Sequence, residues 1–315
     1  MTDIILHHYL LSPFAEKIRT ILGFKQLRWN SVIIPLIMPK PDLTALTGGY
    51  RRTPVLQIGA DIYCDTALIA DVLERIAPAP SLYPAPVAGM ARILAQWADS
   101  TLFWTAITYA FQPAGRASLL GGMSPEEMKA FGADRAAMRG AMPRMAAAEA
   151  TASLADYIWR LDNMLADGSP YLLGTQPTIA DFSVYHPLWF VRKATALAGI
   201  LDAAPKLSAW LDRMKAIGHH RFDSMDAGQA LQAARFGAPS DCKDLPFSDT
   251  HGIALGERVI ITPTDYALDP VEGELVAATA NEFALRRSDE RAGSVHVHFP
   301  RVGFQLKRPG IEERR

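Results

Sequence analysis

The sequence predicts an α/β domain over residues 1–77, an all-helical domain over 88–236 and a small β-rich extension, barrel- or sandwich-like, over 250–309. Three observations carry that prediction. Strand-like and helix-like runs alternate up to a proline-rich segment, residues 77–87, which has the composition of a linker at a domain boundary. Beyond it the chain turns rich in Ala, Leu and Met, with apolar positions at helical spacing and few strand signals. Past residue 237 a Gly-, Pro-, Ser- and Asp-rich linker, 237–249, gives way to short runs with the two-residue alternation of half-buried strands.

The bulk numbers exclude several functions. A chain of 315 residues has room for two or three domains, and 49% hydrophobic with 21% charged residues is an ordinary folded composition. A net charge of −1 leaves no basic footprint for phosphate, which argues against a nucleic-acid partner. No apolar run has the length that spans a bilayer, and the opening MTDIILHHYLL lacks the basic segment of a secretory signal, so no membrane partner is expected. Cys64 and Cys242 lie far apart and make neither a disulfide framework nor a CxxC zinc site, so a reducing, cytoplasmic location is expected.

Taken in order, residues 3–9 form a short buried strand, and Pro13 opens a helix where a missing N–H costs nothing. Ser12 is its N-cap, Phe14, Ile18, Ile21 and Leu22 its apolar positions, and Gly23 its end. A strand over 29–36, a Pro-rich loop at 38–42 and a short helix at 43–46 follow. Thr53-Pro54 leads into the strand run Val55, Leu56, Ile58; Gly59-Ala60-Asp61 turns it back into Ile62, Tyr63 and Cys64. Asp65-Thr66 then opens a helix whose Ala67, Ile69, Ala70, Leu73 and Ile76 share one face. The order β-α-β-α-β-β-α is that of a thioredoxin-like domain, and its start implies a parallel pair with a right-handed crossover. Helices are expected at 88–112, 124–138, 143–166, 178–197 and 205–217. Thr178 and Asp181 make an S/T-x-x-D capping box, assigned to stability and not to chemistry. Strands are expected at 257–262, 273–278, 282–286, 294–299 and 303–307, enough for a small barrel or sandwich.

The stretch 50–74 offers a ligand site. A proline cannot donate to a ladder, and X-Pro is where a cis bond is cheap; a cis Thr53-Pro54 would turn backbone groups of Thr53 or Val55 outward. Asp65-Thr66 supplies a carboxylate, a hydroxyl and unpaired N–H groups at a helix start. Together they suit a small zwitterion, with the strand edge for its middle and the helix start for its charged end.

These residues, T-P-V-L followed by D-T-A-L-I, resemble the glutathione-binding half of the glutathione S-transferase family, with Thr66 where the family usually has Ser. The run Ser12-Pro13-Phe14-Ala15-Glu16-Lys17 resembles the omega-type C-P-F-A-E-R, with serine in place of cysteine. The resemblance covers roughly residues 1–220 and implies glutathione as co-substrate and a homodimer; no metal is expected. It implies that Ser12 donates a hydrogen bond to glutathione's thiolate, which the helix N-terminus also stabilises. Phe14 would then line the sulfur's surroundings, Lys40 would meet the glycine carboxylate, Thr53 and Pro54 would hold the cysteinyl unit, and Asp65 and Thr66 the γ-glutamyl ammonium and carboxylate. Serine in place of cysteine points away from thiol–disulfide exchange and towards attack on a small hydrophobic electrophile. The alternatives are a non-catalytic scaffold that keeps the fold and uses the β extension for interactions, and an isomerase or dehalogenase using the same thiolate.

Other residues have plainer readings. Tyr9 is a rival hydroxyl, more at home as a pocket-wall aromatic, and Arg51 and Arg52 either neutralise a carboxylate or sit on the surface. Trp97, Phe103, Trp104, Tyr109 and Phe111 fall on one helix, part core and part substrate wall by the resemblance. His7 and His8 point to opposite faces of a strand, while His296 and His298 share one face, with no third metal ligand evident; solvated or capping roles are expected for the histidines. Cys64 reads as a small core residue.

Overall fold

In a computed structural model, residues 3–242, 245–248 and 250–310 are described. β1 (Ile4–His8), α1 (Pro13–Phe24), β2 (Trp29–Ile33), α2 (Pro41–Thr47), β3 (Val55–Ile58), β4 (Asp61–Cys64) and α3 (Thr66–Ile76) follow in the expected order. β1 and β2 are parallel, β3 is antiparallel to β1, and β4 is antiparallel to β3. Alternation along β1 sorts the layers. Ile4 and Leu6 join the core shared with α1, α3 and the helical region, whereas Ile5 joins a second core on the other face of the sheet. His7 and His8 accordingly face opposite ways, but both are buried, which corrects the solvated reading: His7 lies 2.8 Å from Gln57 Oε1 and His8 2.8 Å from Ser31 Oγ.

The helical region runs through α4 (Ala88–Trp97), a π-helical turn (Ala98–Leu102), α5 (Phe103–Ala110), α6 (Pro113–Leu120), α7 (Pro125–Arg139), α8 (Ala147–Met164), α9 (Ile179–Lys193), a 3-10 turn (Thr195–Leu201) and α10 (Pro205–Ile217). The expected helix at 88–112 is thus one run with a π turn inside it, and α6 was not anticipated. α9 is the central helix, buried along most of its length. Its capping box is present, and the buried Asp181 carboxylate also accepts from the Leu172 N–H (2.9 Å) and the Trp210 indole N–H (3.0 Å). The proline-rich segment is pinned as well: the Ile179 N–H donates to Leu82 O at 2.9 Å.

After α10 the chain returns to the sheet. β5 (Phe222–Ser224) pairs in parallel with β2, and α11 (Ala227–Phe236) packs on the second core, so this last part of the expected helical domain belongs to the sheet's layers. The five strands expected at the C-terminus are all found: β6 (Arg258–Pro263), β7 (Val271–Ala278), β8 (Glu282–Asp289), β9 (Gly293–Pro300) and β10 (Phe304–Lys307). They do not close on themselves as a barrel or sandwich. β9 pairs in parallel with β4, and among the described residues one ten-stranded sheet runs β10-β6-β7-β8-β9-β4-β3-β1-β2-β5. The physical reason is the edge of β4, whose N–H and C=O groups need partners that no strand of the first region supplies. Of the expected linker, residues 243, 244 and 249 lie outside the described residues; the rest is tied down, with the Ser240 N–H on Asp61 Oδ2 at 2.9 Å and the Ser248 N–H on Ala278 O at 2.7 Å.

Candidate functional site

A cleft of about 560 Å³ opens where the starts of α1 and α3 meet the α4–π-turn helix and the β6–β7 and β9–β10 loops. Phe14, Thr53, Pro54, Asp65 and Thr66 all line it. Its far wall is a surprise from the sequence: Thr264, Asp265, Tyr266, Pro300, Val302 and Gly303 come from the C-terminal strands' loops. The side expected to hold the five helical aromatics instead presents Ala95, Gln96, Asp99 and Ser100. Phe103 and Tyr109 are core residues; Phe103 reaches the site indirectly, through a 4.6 Å ring contact with Phe14. Trp104 packs edge-on against Tyr266 at 5.1 Å.

Thr53-Pro54 is cis, and Asp65 caps α3 by accepting from the Ala67 N–H at 2.9 Å. Asp65 holds φ at 75°, a conformation that costs a non-glycine residue on the order of 1–3 kcal/mol and tends to persist at functional positions. Burial pushes its carboxyl above the usual range, against the Ala67 N–H and the Arg52 and Lys17 cations. Thr66 places its Oγ1 3.2 Å from Lys17 Nζ.

Two of the expected residues stand behind the cleft instead of on its wall. Ser12 is buried as the N-cap of α1, its Oγ accepting from the Ala15 N–H at 3.2 Å. That leaves the hydroxyl proton with no acceptor among the described residues. Lys40 is buried too, its Nζ 3.3 Å from Thr53 Oγ1 and over the Tyr9 ring. Burial, with Arg135 adding repulsion, lowers its pKa to about 8. Tyr9 is half-buried, with its hydroxyl accepting from Arg135 at 3.3 Å.

Asp99, Ser183 and His186, which the sequence did not single out, complete the site together with Lys17, Arg51 and Arg52. Lys17 is fully buried and donates to Asp99 Oδ2 at 2.6 Å as well as to Thr66. Asp99 also pairs with His186 Nε2 at 2.9 Å and accepts from Ser183 Oγ at 3.3 Å. Burial pushes the Asp99 carboxyl up, but Lys17 and His186 outweigh it and hold the carboxyl below its ordinary range; burial likewise lowers His186. Asp99 belongs to the π turn, which re-aims side chains within an otherwise regular helix. Arg52 crosses the cleft: its guanidinium stacks on Tyr266 at 3.9 Å and hydrogen-bonds Asp265 and the Tyr266 carbonyl, while its buried Nε has no partner among the described residues. Arg51 is held by Asp134 of α7 at 2.6 Å. The available signal was a charge inside an apolar run: Asp99 before a Leu-Phe-Trp stretch, and His186 in the middle of α9.

A second polar cluster lies away from the cleft. His296 and His298 are buried, which corrects the solvated or capping reading, and Asp61 stands with them, with His298 Nε2 3.0 Å from Asp61 Oδ1.

Comparison with known proteins gives the following. Residues 6–81 match the family described as glutathione S-transferase, N-terminal domain, and residues 144–213 that described as glutathione S-transferase, C-terminal domain. A GST-like protein from Pseudomonas syringae is 42% identical, with a TM-score of 0.82 over 98% of this chain and 100% of its own. A glutathione S-transferase from Rhodospirillum rubrum is 22% identical, with a TM-score of 0.52 over 68% of this chain and 88% of its own. The β-etherase LigF from Sphingobium is 21% identical, with a TM-score of 0.52 over 69% of this chain and 96% of its own. The last two share the fold alone. No curated protein sequence matches the chain.

Proposed function

Because the chain belongs to the glutathione S-transferase family, we propose that it binds glutathione in this cleft and activates the thiolate for attack on a small hydrophobic electrophile. The observation that carries the reading is the convergence of Thr53-Pro54 and Asp65-Thr66 on one wall of a single cleft. The γ-glutamyl ammonium pairs with the Asp65 carboxylate, and its carboxylate takes the Thr66 hydroxyl and the free N–H groups of α3. The cysteinyl unit lies along Thr53, and the glycine carboxylate is met by Lys40, with Arg52 beside it. Ser12 donates its free proton to the sulfur, and the N-terminal end of α1 favours the anion, so the thiol ionises nearer neutrality. The thiolate then forms a C–S bond to the electrophile, whose leaving group departs with the displaced electron pair. A homodimer and a cytoplasmic location are part of the proposal; since β9 covers β4, the dimer would not form by strand pairing at that edge.

Calorimetric titration with reduced glutathione tests the reading. Saturable one-to-one binding is expected in the wild type and its loss in Asp65→Ala. Ser12→Ala should keep glutathione affinity within a few-fold while turnover of an electrophile falls roughly 10- to 100-fold, the worth of one hydrogen bond to a charged sulfur. Absence of binding in the wild type would sink the proposal and leave a scaffold.

A further inference from the structure

We propose that Asp61, His296 and His298, with Cys242 as fourth donor, form a binding site for a divalent transition-metal ion of the zinc class, which staples the C-terminal strands to β4. The ligand atoms of Asp61, His296 and His298 all lie within 4.8 Å of one another. His298 Nε2 is 3.0 Å and His296 Nδ1 3.9 Å from Asp61 Oδ1, and Cys242 Sγ is 3.8 Å from His296 Nδ1. A hydrogen bond between nitrogen and a carboxylate wants about 2.7–3.2 Å, so the His296 separation is too long for one. Donors that share a tetrahedral zinc, at about 2.0–2.3 Å from it, stand roughly 3.3–3.7 Å apart, which these three distances bracket; Cys242 Sγ, outside the group whose atoms all lie within 4.8 Å of one another, would close in from His296 as the ion binds.

The fold builds the site deliberately. Asp61 and His296 face each other across the parallel β4–β9 pair, and His298, two residues on, shares the same face. The loop carrying Cys242 is held to the same carboxylate, through the Ser240 N–H at 2.9 Å and its hydroxyl at 2.6 Å on Asp61 Oδ2. Behind His298, Glu282 Oε1 takes Nδ1–H at 2.7 Å, the carboxylate–histidine arrangement that fixes the tautomer and aims Nε2 at a metal. The Tyr63 ring stacks on the same imidazole at 4.4 Å and fixes its plane. All four donors are nearly closed to solvent, at 4–7% exposure, and one carboxylate plus one thiolate would neutralise a dication there. The site is separate from the cleft and does not depend on what the cleft binds.

The full-length protein, stripped with a chelator and free of glutathione, should be titrated with Co²⁺ and read by absorbance. One saturable equivalent is expected, with the visible bands of a tetrahedral ion and a near-ultraviolet sulfur-to-cobalt band, both erased by Zn²⁺. Cys242→Ser, nearly isosteric, should lose the sulfur band and keep the visible ones. Glu282→Gln should weaken Zn²⁺ binding about 10- to 100-fold. His296→Ala should abolish the one-equivalent spectrum, with circular dichroism confirming that the variant is folded. No saturable spectrum in the wild type overturns the proposal, as does an unchanged sulfur band in Cys242→Ser; in either case the cluster is a hydrogen-bonded strap only.

Discussion

His7 donates from Nε2 to Gln57 Oε1, a tautomer fixed because the Gln57 amide nitrogen is already spent on the Gly59 and Ala230 carbonyls. Burial lowers its pKa to about 4, and burial followed by the Arg19 charge lowers that of His8 to about 3. The unfolded chain takes up these protons near pH 6.5, so stability fully present above that pH is lost as the pH falls towards 4, and towards 3 for His8. His7→Gln keeps a donor for Gln57 and cannot titrate. Urea unfolding at about pH 7.5 and about pH 5 should show the variant losing about 2 kcal/mol less than the wild type over that span. Equal losses would mean that the ring is not held neutral. Asp65 and Thr66 were legible in the sequence because capping chemistry is local. The partners of Lys17 and Arg52 were not, because Asp99 and Asp265 lie 82 and 213 residues away and no local rule connects them.

At the start of α9 one carboxylate serves four donors: Asp181 accepts from the Leu172 N–H at 2.9 Å, the Thr178 N–H at 2.8 Å, the Thr178 hydroxyl at 3.1 Å and the Trp210 indole at 3.0 Å. Asp181→Ala strands all of them in the core, and at about 1 kcal/mol each the loss should be about 3–4 kcal/mol in a denaturant melt. A change below about 1 kcal/mol would show that water replaces the carboxylate. The capping box was readable from its i,i+3 spacing, as the long helices were from their apolar period. The π turn was not, since one extra residue per turn leaves the pattern of 88–112 almost unaltered. α6 and α11 were missed because both are short and half or more of their apolar positions are alanine, which gives a helical period little contrast.

Across the whole molecule the C-terminal strands act as the far half of one continuous sheet and as a wall of its cleft. Val297 is fully buried opposite Ile62, and all six tryptophans lie in residues 29–210. Val297→Asp should therefore lower the tryptophan-monitored urea midpoint by the equivalent of about 3 kcal/mol or more, the cost of an unpaired charge in a core. If those strands were an independent unit, the tryptophan transition would stay where it is. Alternation told that strands were present; it carries no information on which edge they meet, so the join to β4 was invisible. That join has a consequence for how the protein is made. The residues that meet across it, Asp61 and His298, are 237 positions apart. At about 5–20 residues per second, β4 leaves the ribosome on the order of ten to fifty seconds before the strand that covers it. Throughout that interval a growing chain carries a bare sheet edge, a template for pairing with its neighbours on the same message. Slow translation of the last strands, which would do no harm to an appended module, here prolongs the most aggregation-prone moment in the life of the polypeptide.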